Sequence, residues 1–178
     1  WYENQIKGTS FIFHSKPLPS GDILNQLLSY YVVGLNTIVV RRRTFETLKP
    51  PGFNNRFHII GDFDLVIKTA LDWDILCVND PIGHFRWHGK NESFLNRELY
   101  IKELDVWSSE AKSLLPVTAM DGIRKFNNSL IYQKAKLYLQ KKEYGNVWSC
   151  IKKLKSVELM KLILLIVLPN FLVQKIRS

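Results

Sequence analysis

The stretch from Phe53 to Ser93, FNNRFHIIGDFDLVIKTALDWDILCVNDPIGHFRWHGKNES, constrains this chain more than any other. Its hydrophobic period changes along its length, and breakers fence each change. Gly61 precedes DFDLVIKTAL, where Leu65, Val66, Ile67, Ala70 and Leu71 leave little polar surface, so a buried helix is predicted. Asp62 stands where that helix begins. A carboxylate there meets unpaired N–H groups and the positive end of the helix dipole. ILCVN then reads as a short strand. Pro81 and Gly83 interrupt, and HFRWH alternates. In a strand, His84, Arg86 and His88 share one face, while Phe85 and Trp87 share the other and pack on a core.

The flanks extend this pattern. FIFH is a strand candidate, closed off by Pro17, Pro19 and Gly21. Ser20 or Asp22 can cap a helix carrying Ile23, Leu24, Leu27, Leu28 and Tyr31 on one face, with Gly34 as its stop. LNTIVVR is rich in β-branched residues and reads as a buried strand. Arg41, Arg42 and Arg43 follow it, either as a solvated strand end or as an anion contact. TFETL is a short helix and KPPG a breaker. From Ser93 onward the pattern is helical. Leu95, Leu99, Leu104 and Trp107 mark one segment, which Pro116 ends. A second runs from about Asp121 to Lys142 on Ile123, Phe126, Leu130, Ala135 and Tyr138. Gly145 reads as a turn before VWSCIKKL. No second copy of this hairpin appears, which argues against a solenoid.

Composition narrows the partners. With 46% apolar and 12% aromatic residues the 178-residue chain can build a core. Its net charge of +9 and pI near 9.6 suit a nucleic acid, an anionic lipid or a phosphorylated substrate. The positive charge gathers in Lys-rich helices beside the apolar tail LMKLILLIVLPNFLVQKI, and no nucleic-acid reader motif is present, so nucleic acid is set aside. The tail is shorter than the ~20 apolar residues a span needs and is broken by Pro169. It reads as a helix docked on the protein, or as one lying in a membrane interface, or as a segment for a partner's groove. Cys77 and Cys150 lack metal-site spacing and read as buried or half-buried free thiols, favouring a reducing compartment. The chain opens at Trp1 within structured-looking sequence, so a longer parent protein is expected.

Two clusters carry chemistry. Asp62 and Asp64 are carboxylates two positions apart, and a lone Asp at a helix start is usually only a cap. His84, Arg86 and His88 add imidazoles and a guanidinium. Imidazole and carboxylate ligate Mn2+ or Mg2+, Arg grips phosphate as a fork, and a carboxylate beside a hydroxyl can take its proton as it attacks. His84 and His88 would make an H-x-x-x-H zinc pair on a helix, but the glycines and the aromatic alternation argue for strand.

FNNRFHIIGDFDLVIK followed by PIGHFRWHGKNES resembles the carboxyl half of family 2 glycosyltransferases, which are inverting enzymes of the GT-A fold. The likeness covers about residues 30–93, with TIVVRR resembling the strand before the acidic motif. It implies an α/β, Rossmann-like fold, with residues 1–93 as the acceptor-side half of a GT-A domain; the helical pattern makes residues 94–178 an extension ending in an apolar, membrane-interfacial helix. The resemblance makes Asp62 the general base and Asp64 an acceptor-binding residue, although Gly61 stands where the family often has Glu. FRWH matches the family's later strand, so Arg86 would contact the diphosphate and His88 the divalent metal, Mn2+ or Mg2+. The partners would be a nucleotide-diphosphate sugar donor and a glycan or lipid-linked acceptor, in surface-polysaccharide or glycan synthesis. The setting would be cytoplasmic, peripheral on the inner face of the cell membrane. No Asp-x-Asp donor motif precedes the helix region, so the isolated chain is expected to have little or no transferase activity. The competing reading is a non-catalytic, membrane-peripheral interaction module.

Overall fold

A computed structural model describes residues 2–4, 9–11, 17–80, 82–83, 85–87, 90–111, 113–154 and 157–167. Most of the described residues are helical. Described strand is confined to β1 (Tyr2–Asn4), β2 (Thr9–Phe11) and β3 (Phe85–Trp87). These pair in the order β2-β1-β3, with β1 antiparallel to β2 and parallel to β3. Three-residue segments cannot form the layer of a Rossmann-like domain, so the expected α/β GT-A architecture is overturned.

The physical reason lies in two segments. LNTIVVR gives a 3-10 turn at Leu35–Thr37 and then unpaired extended chain, with Val39 98% exposed. ILCVN makes one isolated bridge, Ile75 to Gly21, and leaves Leu76 83% exposed. Both have strand composition, but β-propensity is realised only against a pairing neighbour. Among the described residues LNTIVVR finds none, and ILCVN finds only the single bridge to Gly21.

The helices follow the hydrophobic period. α1 (Leu24–Ser29) buries Leu24, Leu27 and Leu28, although no side chain caps it. α2 (Arg42–Thr47) starts within the arginine run. α3 (Gly61–Asp72) buries nearly every side, as its apolar sequence predicts. α4 (Glu92–Leu95) leads into α5 (Arg97–Ala111), which turns Ile101, Leu104, Trp107 and Ala111 inward. α6 (Met120–Gln140), α7 (Tyr144–Ile151) and α8 (Val157–Val167) complete the chain. Gly145 lies inside α7. The reversal before it uses Lys142 instead, at a φ of 61°. The described part of the apolar tail is α8, and the expected Pro169 break lies outside the described residues.

The chain divides into two compact units, residues 1–123 and 124–178. In the first, α1, α3 and α5 share a core built on Ile23, Leu27, Ile60, Leu65, Ile67 and Leu104. Gly122 lets the chain pass close to α1: a Cβ there would meet the Asn25 carbonyl oxygen at 2.8 Å and Leu28 at 2.9 Å. Asn25 fixes that approach, accepting from the Gly122 N–H at 2.8 Å and donating to the Thr118 carbonyl. In the second unit, Ala135, Cys150, Leu154 and Leu162 form the core, with Ile131, Tyr132, Tyr138 and Leu159 packed around them. Cys150 is a buried free thiol whose pKa burial pushes up, and Cys77 is half-buried and also free.

Candidate functional site

Asp62 occupies the first turn of α3, but Gly61 is the first helical residue and Ile60 the cap, without a side-chain cap bond. The Asp62 carboxylate accepts from the neighbouring Phe63 N–H at 2.7 Å. It is half-buried, and among the described residues no cation pairs with it. Burial raises its pKa above the ordinary 3.8, against the lowering pull of the Phe63 N–H and of its own. Tyr31 is its neighbour in charge terms. Burial raises the Tyr31 phenol first, and the Asp62 charge adds to that rise. The Tyr31 hydroxyl is buried and has no hydrogen-bond partner among the described residues. Its ring packs edge-on against Phe63 at 5.0 Å, and Phe63 packs edge-on against Trp107 at 4.7 Å.

Asp64 goes elsewhere. Positions i and i+2 of a helix do not face one another, so the paired-carboxylate reading does not survive folding. Asp64 is 1% exposed. Its Oδ1 accepts from Trp107 Nε1 at 3.1 Å and its Oδ2 from Lys68 Nζ at 2.6 Å. It lies at the floor of a cavity of about 170 Å³ whose walls include Lys68, Ile67, Phe57 and Glu110, with Arg56 bonding Glu110 at 2.5 Å on the exposed side. Both oxygens are taken, so Asp64 joins α3 to α5 rather than offering itself to an acceptor. Asp64→Asn is expected to cost about 1–3 kcal/mol, because Lys68 loses its anion while a carbonyl still serves Trp107. Urea unfolding of the variant measures this.

The residue that sequence reasoning missed is Glu103. Its carboxylate accepts the His58 N–H at 2.8 Å, the Ile59 N–H at 2.9 Å and the Ile60 N–H at 3.1 Å. These amides form the bend that delivers the chain into α3, so Glu103 sets where Asp62 stands. One signal was available: Glu103 lies one turn before Trp107, on the apolar stripe of α5. A carboxylate on such a stripe needs donors.

Arg86 belongs to β3, where its backbone pairs in register with Glu3. Its side chain, together with His84 and His88, lies outside the described residues. Among the described residues no group of three His, Cys, Asp or Glu side chains could hold a metal ion. The expected ligand of the divalent ion, His88, lies outside those residues, and the chemistry proposed for Asp62 does not pass through an ion. Arg41, Arg42 and Arg43 are exposed at the start of α2.

Compared with known protein families, with curated proteins and with solved structures, the chain finds no match in any of the three.

Proposed function

We propose that this chain supplies the acceptor-activating part of a glycosyltransferase that uses a nucleotide-diphosphate sugar, with Asp62 as the general base. The observation that carries the reading is Asp62 itself. It is a half-buried carboxylate without a described cation partner, at the mouth of a buried helix, with a pKa raised by burial. Asp64 and Glu103, by contrast, are fully engaged in holding the fold. A base whose pKa is raised toward working pH takes a proton more effectively than an ordinary carboxylate. The resemblance of GDFDL and FRWH to family 2 glycosyltransferases supports the substrate class. The reading takes nothing from a Rossmann-like layer.

In this mechanism an acceptor hydroxyl approaches Asp62. Its proton passes to the carboxylate as the oxygen attacks the anomeric carbon. The bond from that carbon to the diphosphate oxygen breaks, its electron pair leaves with the nucleoside diphosphate, and the configuration inverts. Burial keeps Tyr31 neutral, and the charge of Asp62 adds to that effect. Arg86 would hold the leaving diphosphate, and a glycan or lipid-linked saccharide would be the acceptor.

The pH profile tests the reading. Only ionised Asp62 accepts a proton, so kcat/KM of the full-length polypeptide containing residues 1–178 is expected to rise with pH through a single group titrating above 3.8. A flat acid limb would remove Asp62 from the mechanism.

A further inference from the structure

α8 carries apolar residues on both of its sides. On one side Leu162 is fully buried among Ala135, Cys150 and Leu154, with Leu159 packed beside it. On the other, Val157, Met160 and Leu164 are exposed, Met160 by 63% and Leu164 by 53%, and Ile163 and Ile166 are part-exposed at the margins of the buried side. Residues 157, 160 and 164 follow the i, i+3, i+7 spacing of one helix face. The sequence alone left docking on the protein and an interfacial helix as alternatives, and the structure assigns one to each side of α8.

Charge says what the exposed side meets. Residues 124–178 hold twelve Lys and Arg against two acidic residues, Glu143 and Glu158, a net of +10. Residues 1–123 hold thirteen against fourteen, a net of −1. All of the chain's excess positive charge therefore sits in the unit that exposes the apolar face. Lys161 lies on α8 itself, exposed, and Lys152 and Lys153 are exposed just ahead of it. α7 adds Tyr144 and Trp148, both exposed and one turn apart on one face. Aromatic rings with a polar tip favour the headgroup level of a bilayer. Among the described residues no helix is long and apolar enough to cross a membrane, and an 11-residue α8 spans only about 16 Å.

The geometry points to an anionic membrane surface as the occupant: α8 lies in the interface with Met160 and Leu164 entering it, while the surrounding lysines meet acidic headgroups. A nucleic-acid duplex would match the charge but leave the aliphatic face in water, and the exposed Tyr144 and Trp148 favour a headgroup layer over a partner's groove. This inference does not depend on Asp62.

Vesicle co-sedimentation of the purified chain tests it. Wild type is expected to bind phosphatidylcholine vesicles containing about 30% phosphatidylglycerol at least ~10-fold more tightly than phosphatidylcholine alone. The double variant Met160→Glu, Leu164→Glu should lose at least ~10-fold of that binding at unchanged helix content, since both side chains are exposed. Trp148 emission gives a readout independent of that variant: a blue shift on anionic vesicles, removed by Trp148→Phe. Binding that ignores lipid charge, binding undiminished in a folded double variant, or the absence of a Trp148-dependent shift would each overturn the inference. A duplex bound equally by wild type and double variant, with no vesicle binding, would replace lipid by nucleic acid.

Discussion

Asp62→Asn is expected to silence sugar transfer and, at neutral pH, to make the fold more stable. Removing a positioned general base costs roughly 10²- to 10⁴-fold in rate. The stability effect follows from the direction of the Asp62 shift. A carboxyl whose pKa rises on folding contributes stability that is fully present below its unfolded value and is lost as pH rises through its folded value. At pH 7 the charge is buried at a cost. Asn has the same shape and still accepts the Phe63 N–H, but carries no charge. Urea midpoints should therefore favour the variant near pH 7, and the gap should close in acid. A variant less stable than wild type at pH 7 would mean that the helix dipole, and not burial, dominates at this position.

Glu103→Ala is expected to have the largest effect on stability, about 3–5 kcal/mol. Three amides lose one charged acceptor, and the Ile60 N–H is buried without a substitute. Glu103→Gln should fall between the two, because its carbonyl replaces one oxygen while its NH2 faces a donor. Beyond global stability, amide exchange at Ile59 and Ile60 should accelerate, as the bend before α3 loses its anchor. Unchanged exchange there would show that the bend holds itself.

The helices were legible because each carries its own signal. The apolar faces of α1, α3 and α5 are written at helical spacing, and Pro116 and the chain reversal before α7 separate the later ones. The strands were not, because a strand is a statement about a neighbour. TIVV has the right residues and no described partner, ILCV has only the one bridge from Ile75 to Gly21, and Val39 and Leu76 stand in the open as a result. HFRWH did yield β3, though it is short and pairs with β1. At the candidate site, the start of α3 placed Asp62 correctly to within one residue. The Asp62–Asp64 pair misled because its spacing was read along the chain, whereas the helix rotates Asp64 away toward Lys68 and Trp107. Glu103 was invisible as a positioning group, since its donors come from His58 to Ile60 and only the folded chain brings them together.

The central claim is that Asp62 takes the proton of an attacking acceptor. Nucleoside diphosphate release by the full-length polypeptide containing these residues, measured with and without acceptor saccharide in wild type and Asp62→Asn, tests it most directly. The account predicts acceptor-dependent release in wild type and a loss of at least ~100-fold in a folded variant that still binds donor. Equal release by the two proteins would contradict it, and would leave Asp62 as a helix-start carboxylate.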